Sequence, residues 1–283
     1  MRKLEKKRCC FNLQNFALYY NRKMKTKKEA VILVVNDDGV DAAGIRVLAS
    51  VAQEFGKVVV VAPGGGRSGM SHAITFANPL RLRRVHYSPD CEIYKTNGTP
   101  ADSVKLAVRH LLKDRPISLL VSGFNHGANT SACVIYSGTV AGAVEGCLSR
   151  IPSIAFSVVN HDKNCDFEAA KVAARQVIAS VLENGLPPNV CLNVNIPNVP
   201  ASQLKGYKIT RQANNYWSET IEMREDAANI PYFWMGGSMQ EVDKGRDTDH
   251  WAVSHNYVSI HPIDTDWTNK PMMKELRKWK LTI

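Results

Sequence analysis

Four stretches of the chain, VILVV (31–35), KVVVVAP (57–63), ISLLVSG (117–123) and IPSIAFSV (151–158), are unbroken runs of β-favouring apolar residues. A strand with one wet face alternates apolar and polar residues, whereas an unbroken run is buried on both faces, the situation of a parallel sheet covered by helices. The intervening segments read as those helices. Gly44–Phe55 places apolar residues at 45, 48, 51, 52 and 55, and ADSVKLAVRHLL follows Pro100 with Asp102 and Ser103 available to its first turn. SGTVAGAVEGCLS is a helix of small residues, and Phe167–Leu182 is closed by Asn184-Gly185. The alternation predicts an α/β fold, a Rossmann-like and mostly parallel sheet flanked by helices, with VCLNVNIP (190–197) as a further strand. After Pro187 the pattern changes. Residues 201–262 read as short β segments (GYKITRQ, PYFWMGG, YVSIHPI), which predicts a β-hairpin extension, and MMKELRKWKL within 271–283 has the spacing of an amphipathic terminal helix.

The net charge of +10 suggests nucleic acid until it is located. Residues 1–29 carry ten Lys or Arg against two Glu, so the remaining chain is nearly neutral and offers no broad basic face for nucleic acid. The segment favours Lys and contains no Ser, unlike an organelle signal, and is expected to be an extension outside a domain spanning 30–283. No apolar run approaches the roughly 18 residues of a membrane helix. Seven cysteines (9, 10, 91, 133, 147, 165, 191) show neither Cys-x-x-Cys nor a framework spacing, which fits reduced thiols and a cytoplasmic protein.

The chemistry sits at strand ends, where open α/β sheets bind ligands. The first strand runs into Asn36-Asp37-Asp38-Gly39. Adjacent carboxylates repel, so the pair calls for a metal ion or a basic side chain, unless it merely caps the following helix. The second strand ends in APGGGRSGMSH, supplying Arg67, Ser68 and His72; the third ends in SGFNHGANT, supplying Asn125 and Asn129. Ser137-Gly138-Thr139 opens the small-residue helix, whose free N–H groups suit an anion. Two carboxylates, a hydroxyl and an amide form an all-oxygen set, which suits Mg²⁺, Mn²⁺ or Ca²⁺ rather than zinc. Three other readings fail. The Gly-rich loop matches G-x-G-x-x-G, but a β-like stretch ending at Pro79 follows it instead of a helix. A receiver domain needs an aspartate ending a later strand, and LLVSGFN has none. A haloacid-type phosphatase needs a second Asp where Gly39 stands.

In order, NDDGVDAAGI, VVAPGGGRSG, TNGTPADSVKLA, LLVSGFNHGANT, IYSGTVAGAVEG and YVSIHPI resemble the survival protein SurE family, from about Val31 to the C-terminus. The resemblance implies a divalent-metal-dependent phosphomonoesterase, a 5′- and 3′-nucleotidase acting on nucleoside monophosphates with Mg²⁺ or Mn²⁺. It places the metal on Asp37, Asp38, Ser68 and Asn125, and the phosphate on Ser137, Gly138 and Thr139 beside Asn36. Asp37 and Asp38 are then catalytic. Either Asp37 attacks phosphorus directly, or a water held by the metal does so with one of the two as base, and His72 is the candidate to protonate the leaving oxygen. The family fold implies a swapped C-terminal segment and a homodimer or homotetramer, with no membrane and no specific nucleic-acid partner. The chain departs from the family in Gly64, where many members carry Asp, and in Gly127-Ala128-Asn129, where Gly-Pro-Asn is commoner. The competing reading is a non-catalytic nucleotide-binding protein on the same fold.

Overall fold

The computed structural model describes residues 30–162 and 165–281; the basic segment 1–29 lies outside the described residues. Strand β1 (Val31–Val35) is followed by helix α1 (Ala43–Gln53) and β2 (Lys57–Pro63), then by β3 (Leu82–Tyr87) and β4 (Cys91–Thr96). Helix α2 (Pro100–Leu106) continues into one wider turn, and β5 (Ile117–His126) follows it. Short α3 (Cys133–Tyr136) leads to α4 (Gly138–Leu148), β6 (Ser153–Val159), α5 (Glu168–Asn184) and β7 (Val190–Pro197). The last elements are β8 (Tyr207–Ile209), β9 (Tyr216–Glu225), β10 (Pro231–Gln240), α6 (Asp249–Ser254), β11 (Val258–Asp264) and α7 (Lys270–Leu276). Among the described residues no helix is long and apolar enough to cross a membrane.

Nine strands form one sheet in the order β3-β4-β2-β1-β5-β6-β7-β11-β8. The pairs from β4 through β7 are parallel, β3 runs against β4, and β11 runs against β7 but parallel to β8. The unbroken apolar runs are explained by burial on both faces. Ile32 and Val34 of β1 join Val58, Val60 and Val121 under α1 and α5, while Val31, Leu33 and Val35 join Val59, Val61 and Leu120 under α2. Each such side chain contributes roughly 1.5–3 kcal/mol on burial. Thr99 starts α2 with a reciprocal capping box: its hydroxyl accepts from Asp102 N, and the Asp102 carboxylate accepts from Thr99 N.

The order of strands fixes where a ligand binds. From β1 the chain moves outward to β2, β3 and β4, then crosses back to place β5 on the other side of β1. The carboxyl ends of β1 and β5 therefore flank the switch point of the sheet, the crevice where open α/β folds take ligands.

Helix α4 reaches this crevice because its sheet-facing side is small. A Cβ at position 142 would stand 2.8 Å from Ser122 Oγ and 3.0 Å from a methyl of Val35, so the helix axis lies close over β1 and β5.

Three expectations are corrected. The β extension is narrower than 201–262, because β8 and β11 belong to the main sheet and a helix, α6, lies among these segments; only β9 and β10 stand apart as a hairpin. The edge strands β3 and β4 are additional to those expected, and 71–80, read as β-like, is turn and coil. The terminal helix forms over Lys270–Leu276, a shorter span than 271–283.

Replacing Gly142 by Val inserts three carbons against Ser122 and Val35, an overpacking that costs about 1–3 kcal/mol. A urea melt is expected to show the midpoint falling at unchanged slope; an unchanged midpoint would mean that the helix does not depend on this close approach.

Candidate active site

The turn after β1 is closed from within. Asn36 is fully buried, its Nδ2 donating to Gly39 O (3.0 Å) and its Oδ1 accepting from Gly39 N (3.2 Å). Each end of its amide makes one bond within the turn, so Asn36 shapes the turn. Gly39, at φ +106°, adopts the conformation that lets the chain turn so sharply.

Asp37 is 4% exposed. The Thr139 hydroxyl donates to its Oδ1, and its backbone carbonyl accepts from Arg67 N at 2.7 Å, which ties the Gly-rich loop to the carboxylate turn. Gly138 is required above it, since a Cβ there would stand 2.8 Å from Asp37 Cβ and 3.0 Å from Oδ2. Asp38 Oδ2 accepts a long bond (3.4 Å) from His126 N at the end of β5. Burial pushes the Asp37 carboxyl up from an ordinary value near 3.8 to about 6; the Thr139 bond opposes this and the Asp38 charge adds to it. Burial raises Asp38 as well, against the His126 imidazole.

The alternative of a basic partner is not realised. Among the described residues neither carboxylate forms an ion pair, and the nearby Arg67 guanidinium donates instead to Asn97 O (3.0 Å). The Asn125 amide donates its Nδ2 to Gly127 O (2.7 Å), which fixes the ring of backbone after β5 and leaves Oδ1 without a protein donor. Asp38 Oδ1 and the exposed Ser68 hydroxyl likewise lack a hydrogen-bond partner among the described residues, and Asp37 Oδ2 has no side-chain donor, its carboxyl drawing otherwise on the backbone N–H groups of Asp37 and Thr139. The donor set thus fits a hard divalent cation: four side chains on three adjoining strand ends each keep an oxygen free. Among the described residues no group of three or more His, Cys, Asp or Glu lies together, so the set depends on the hydroxyl and amide oxygens.

Ser137 caps α4, its Oγ accepting from Val140 N (3.0 Å). Thr139, expected to face the phosphate, is buried and turned to Asp37 instead. The Gly138 N–H and the Ser137 hydroxyl proton remain for an anion at the helix N-terminus. His72 Nε2 lies 2.9 Å from Glu145 Oε2, and Lys105 Nζ donates to Glu145 Oε1 at 2.7 Å. Burial would raise this carboxyl, but the bonds from His72 and Lys105 outweigh it and hold it below its ordinary range. The bond to Glu145 fixes the imidazole through Nε2, and His72 and Ser137 both line a cavity of about 330 Å³. Glu145 and Lys105 were not singled out in the sequence, although a lone Glu in the small-residue helix was the available signal. Asn129 belongs to a buried amide network, its Nδ2 donating to Ser157 Oγ (2.8 Å) and its N–H to Asn195 Oδ1 (2.7 Å).

With this geometry in place, comparison with known proteins is informative. The family model for Survival protein SurE matches residues 32–219. The 5′-nucleotidase SurE of Cytophaga hutchinsonii is 46% identical over 251 residues, covering 88% of this chain and 97% of that protein. The 5′-nucleotidase SurE of Flavobacterium johnsoniae is 44% identical over 91% of this chain and 99% of its own. The crystal structure of SurE protein from Aquifex aeolicus superposes with a TM-score of 0.76 at 38% identity, covering 87% of this chain and 98% of that one.

A carboxyl raised by folding stabilises the protein fully below its unfolded value and loses that contribution as pH rises through the folded one. With chelator present, Asp37 therefore weakens the fold as pH climbs from about 4 past 6, by about 3 kcal/mol at most. Asp37→Asn is expected to melt like the parent near pH 4 and above it at pH 7–8. A gap that does not widen with pH would contradict the burial of an unpaired charge.

Proposed function

The chain belongs to the Survival protein SurE family, and from that premise we propose how its site works: it is a metal-dependent 5′-nucleotidase that hydrolyses nucleoside monophosphates to nucleoside and phosphate. The reading is supported by the carboxylates of Asp37 and Asp38 at the switch point, with Arg67, the neighbour of Ser68, bonded to Asp37 O and His126, the neighbour of Asn125, bonded to Asp38 Oδ2. Mg²⁺ or Mn²⁺ bound there supplies Lewis-acid polarisation and neutralises phosphoryl charge.

The remaining work falls to the chain. Thr139 and Gly138 hold Asp37 in place from above, and His126 N steadies Asp38. The Gly138 N–H and the Ser137 hydroxyl donate to a phosphoryl oxygen, where negative charge develops and the helix dipole favours it. His72, oriented by Glu145, protonates the leaving oxygen from Nδ1. Activity extends to 3′-monophosphates, and the protein works in the cytoplasm. A non-catalytic binding protein is disfavoured, because nucleotide capture alone gives no reason to leave two unpaired carboxylates facing the phosphate site.

The assembly is a homodimer or homotetramer. Hairpin β9–β10 exposes Ile221, Met223, Phe233, Trp234 and Met235, and α7 exposes Met272, Met273 and Leu276. A two-stranded hairpin and a seven-residue helix are each marginal alone, so both call for a second subunit, with the terminal segment exchanged across a two-fold axis.

Phosphate release from a panel of nucleoside 5′- and 3′-monophosphates tests the activity. Turnover is expected with Mg²⁺ or Mn²⁺ and loss of at least a hundredfold in EDTA; undiminished release after exhaustive chelation would refute the metal-dependent reading. For assembly, deleting residues 271–283 is expected to lower the mass measured by light scattering towards a monomer, with activity reduced less than assembly. An unchanged mass would show that the tail does not hold the subunits together.

A further inference from the structure

Beyond the phosphate site, on the far side of the Gly-rich loop, lies a second cleft of about 500 Å³, between that loop and the β3–β4 edge. Arg67, Arg81, Arg83 and Lys95 line it, and among the described residues none of the four forms an ion pair. The carboxylate nearest in the hairpin is already committed: Glu92 accepts from Arg115 Nη1 (2.8 Å) and from the Tyr94 hydroxyl (2.8 Å).

Three features set this cleft apart from an ordinary solvated basic surface. Arg83 stands directly opposite Lys95 in the antiparallel β3–β4 register, and like charges so placed destabilise a sheet unless an anion lies between them. Lys95 extends over Gly64, where a Cβ would stand 2.4 Å from its Cε; the absence of a side chain at this position gives the lysine its path. Arg67 is fixed against the wall by its bond to Asn97 O, while its buried Nε has no partner. Arg67 also joins the two sites. Its N–H bonds Asp37 O (2.7 Å), its side chain lines the cleft, and the next residue is Ser68.

We infer that this cleft is a subsite for a second phosphoryl group carried by the substrate, extending the substrate class to nucleoside bisphosphates. The inference rests on the nucleotidase reading for what occupies the first site. A phosphate monoester dianion meets three guanidinium groups and an ammonium here, a match in charge to side chains that can fork onto phosphate oxygens. One phosphoryl group occupies the site at Asp37 and Asp38, and the other crosses the Gly64–Arg67 wall into the cleft. A monophosphate leaves the cleft unfilled.

Calorimetry on the full chain loaded with Mn²⁺ tests this with non-hydrolysable phosphonate analogues of adenosine 3′,5′-bisphosphate and adenosine 5′-monophosphate, so that nothing turns over, and with inorganic phosphate. The bisphosphate is expected to bind at least tenfold tighter than the monophosphate. In an Arg83→Ala/Lys95→Ala variant that advantage should vanish while monophosphate affinity moves less than twofold. Equal affinities in the parent, or an advantage that survives in the variant, overturns the subsite. So does inorganic phosphate that binds monophosphate-saturated protein as tightly as the bisphosphate binds the free protein, because the cleft would then serve free anions. The variant should melt no lower than the parent, since it removes a like-charge pair; a clear loss of stability would show the pair to be structural and overturn the assignment. Phosphate release with Mn²⁺ is scored separately. A preference for bisphosphate in binding without release from monophosphate counts against the nucleotidase reading alone.

Discussion

Two adjacent carboxylates at the end of a buried strand, in no ion pair among the described residues, are the constraint on which the site is built. In water two such charges cost little, but Asp37 is almost entirely enclosed, and there the cost of an unpaired charge rises steeply. The surrounding structure is arranged to tolerate this. The turn is closed by Asn36, the Gly-rich loop is tied down through Arg67 N, and α4 is drawn close by its small residues until Thr139 reaches Asp37. Each device leaves an oxygen of the carboxylate pair free. A fold selected only for stability would replace Asp37 by an uncharged residue, so its retention points to what the free oxygens bind.

The sheet topology explains why three loops far apart in sequence can share this task. Asp38 and His126 are 88 residues apart, and Thr139 and Asp37 are 102 apart, yet each pair meets because β1 and β5 are neighbours whose connections leave in opposite directions. The crevice between them is a consequence of strand order, and loop residues placed there become a site with little further organisation.

Much of this was legible in the sequence, and the gaps have physical causes. The central strands and helices α1, α4 and α5 were legible because burial on both faces or along one stripe leaves a strong pattern. Strands β3 and β4 were not, because β3 is exposed along nearly its whole length and Arg83, Arg84 and Lys95 break the apolar run. The separation of β8 and β11 from the hairpin was also hidden, since a strand's sequence does not reveal which neighbour it pairs with. In the site, residue type at strand ends singles out Asp37, Asp38, Ser68 and Asn125 as candidate oxygen donors. The bonds of Asn36 within the turn and of Thr139 to Asp37 are hidden in the sequence, because a side chain beside a phosphate site and one bracing a carboxylate have the same residue types and only orientation separates them. Glu145 lies 73 residues from His72, a pairing no local pattern announces.

The central claim is that the carboxylate pair exists to hold a divalent cation. Titration of Mn²⁺ into chelator-stripped protein, followed by calorimetry, tests it without reference to substrate. One tight site per chain is expected in the parent, with affinity falling at least a hundredfold in Asp38→Asn, while Asn36→Ala is expected to weaken binding only through the turn it closes. Binding undiminished in Asp38→Asn, or no saturable binding in the parent, would contradict the account.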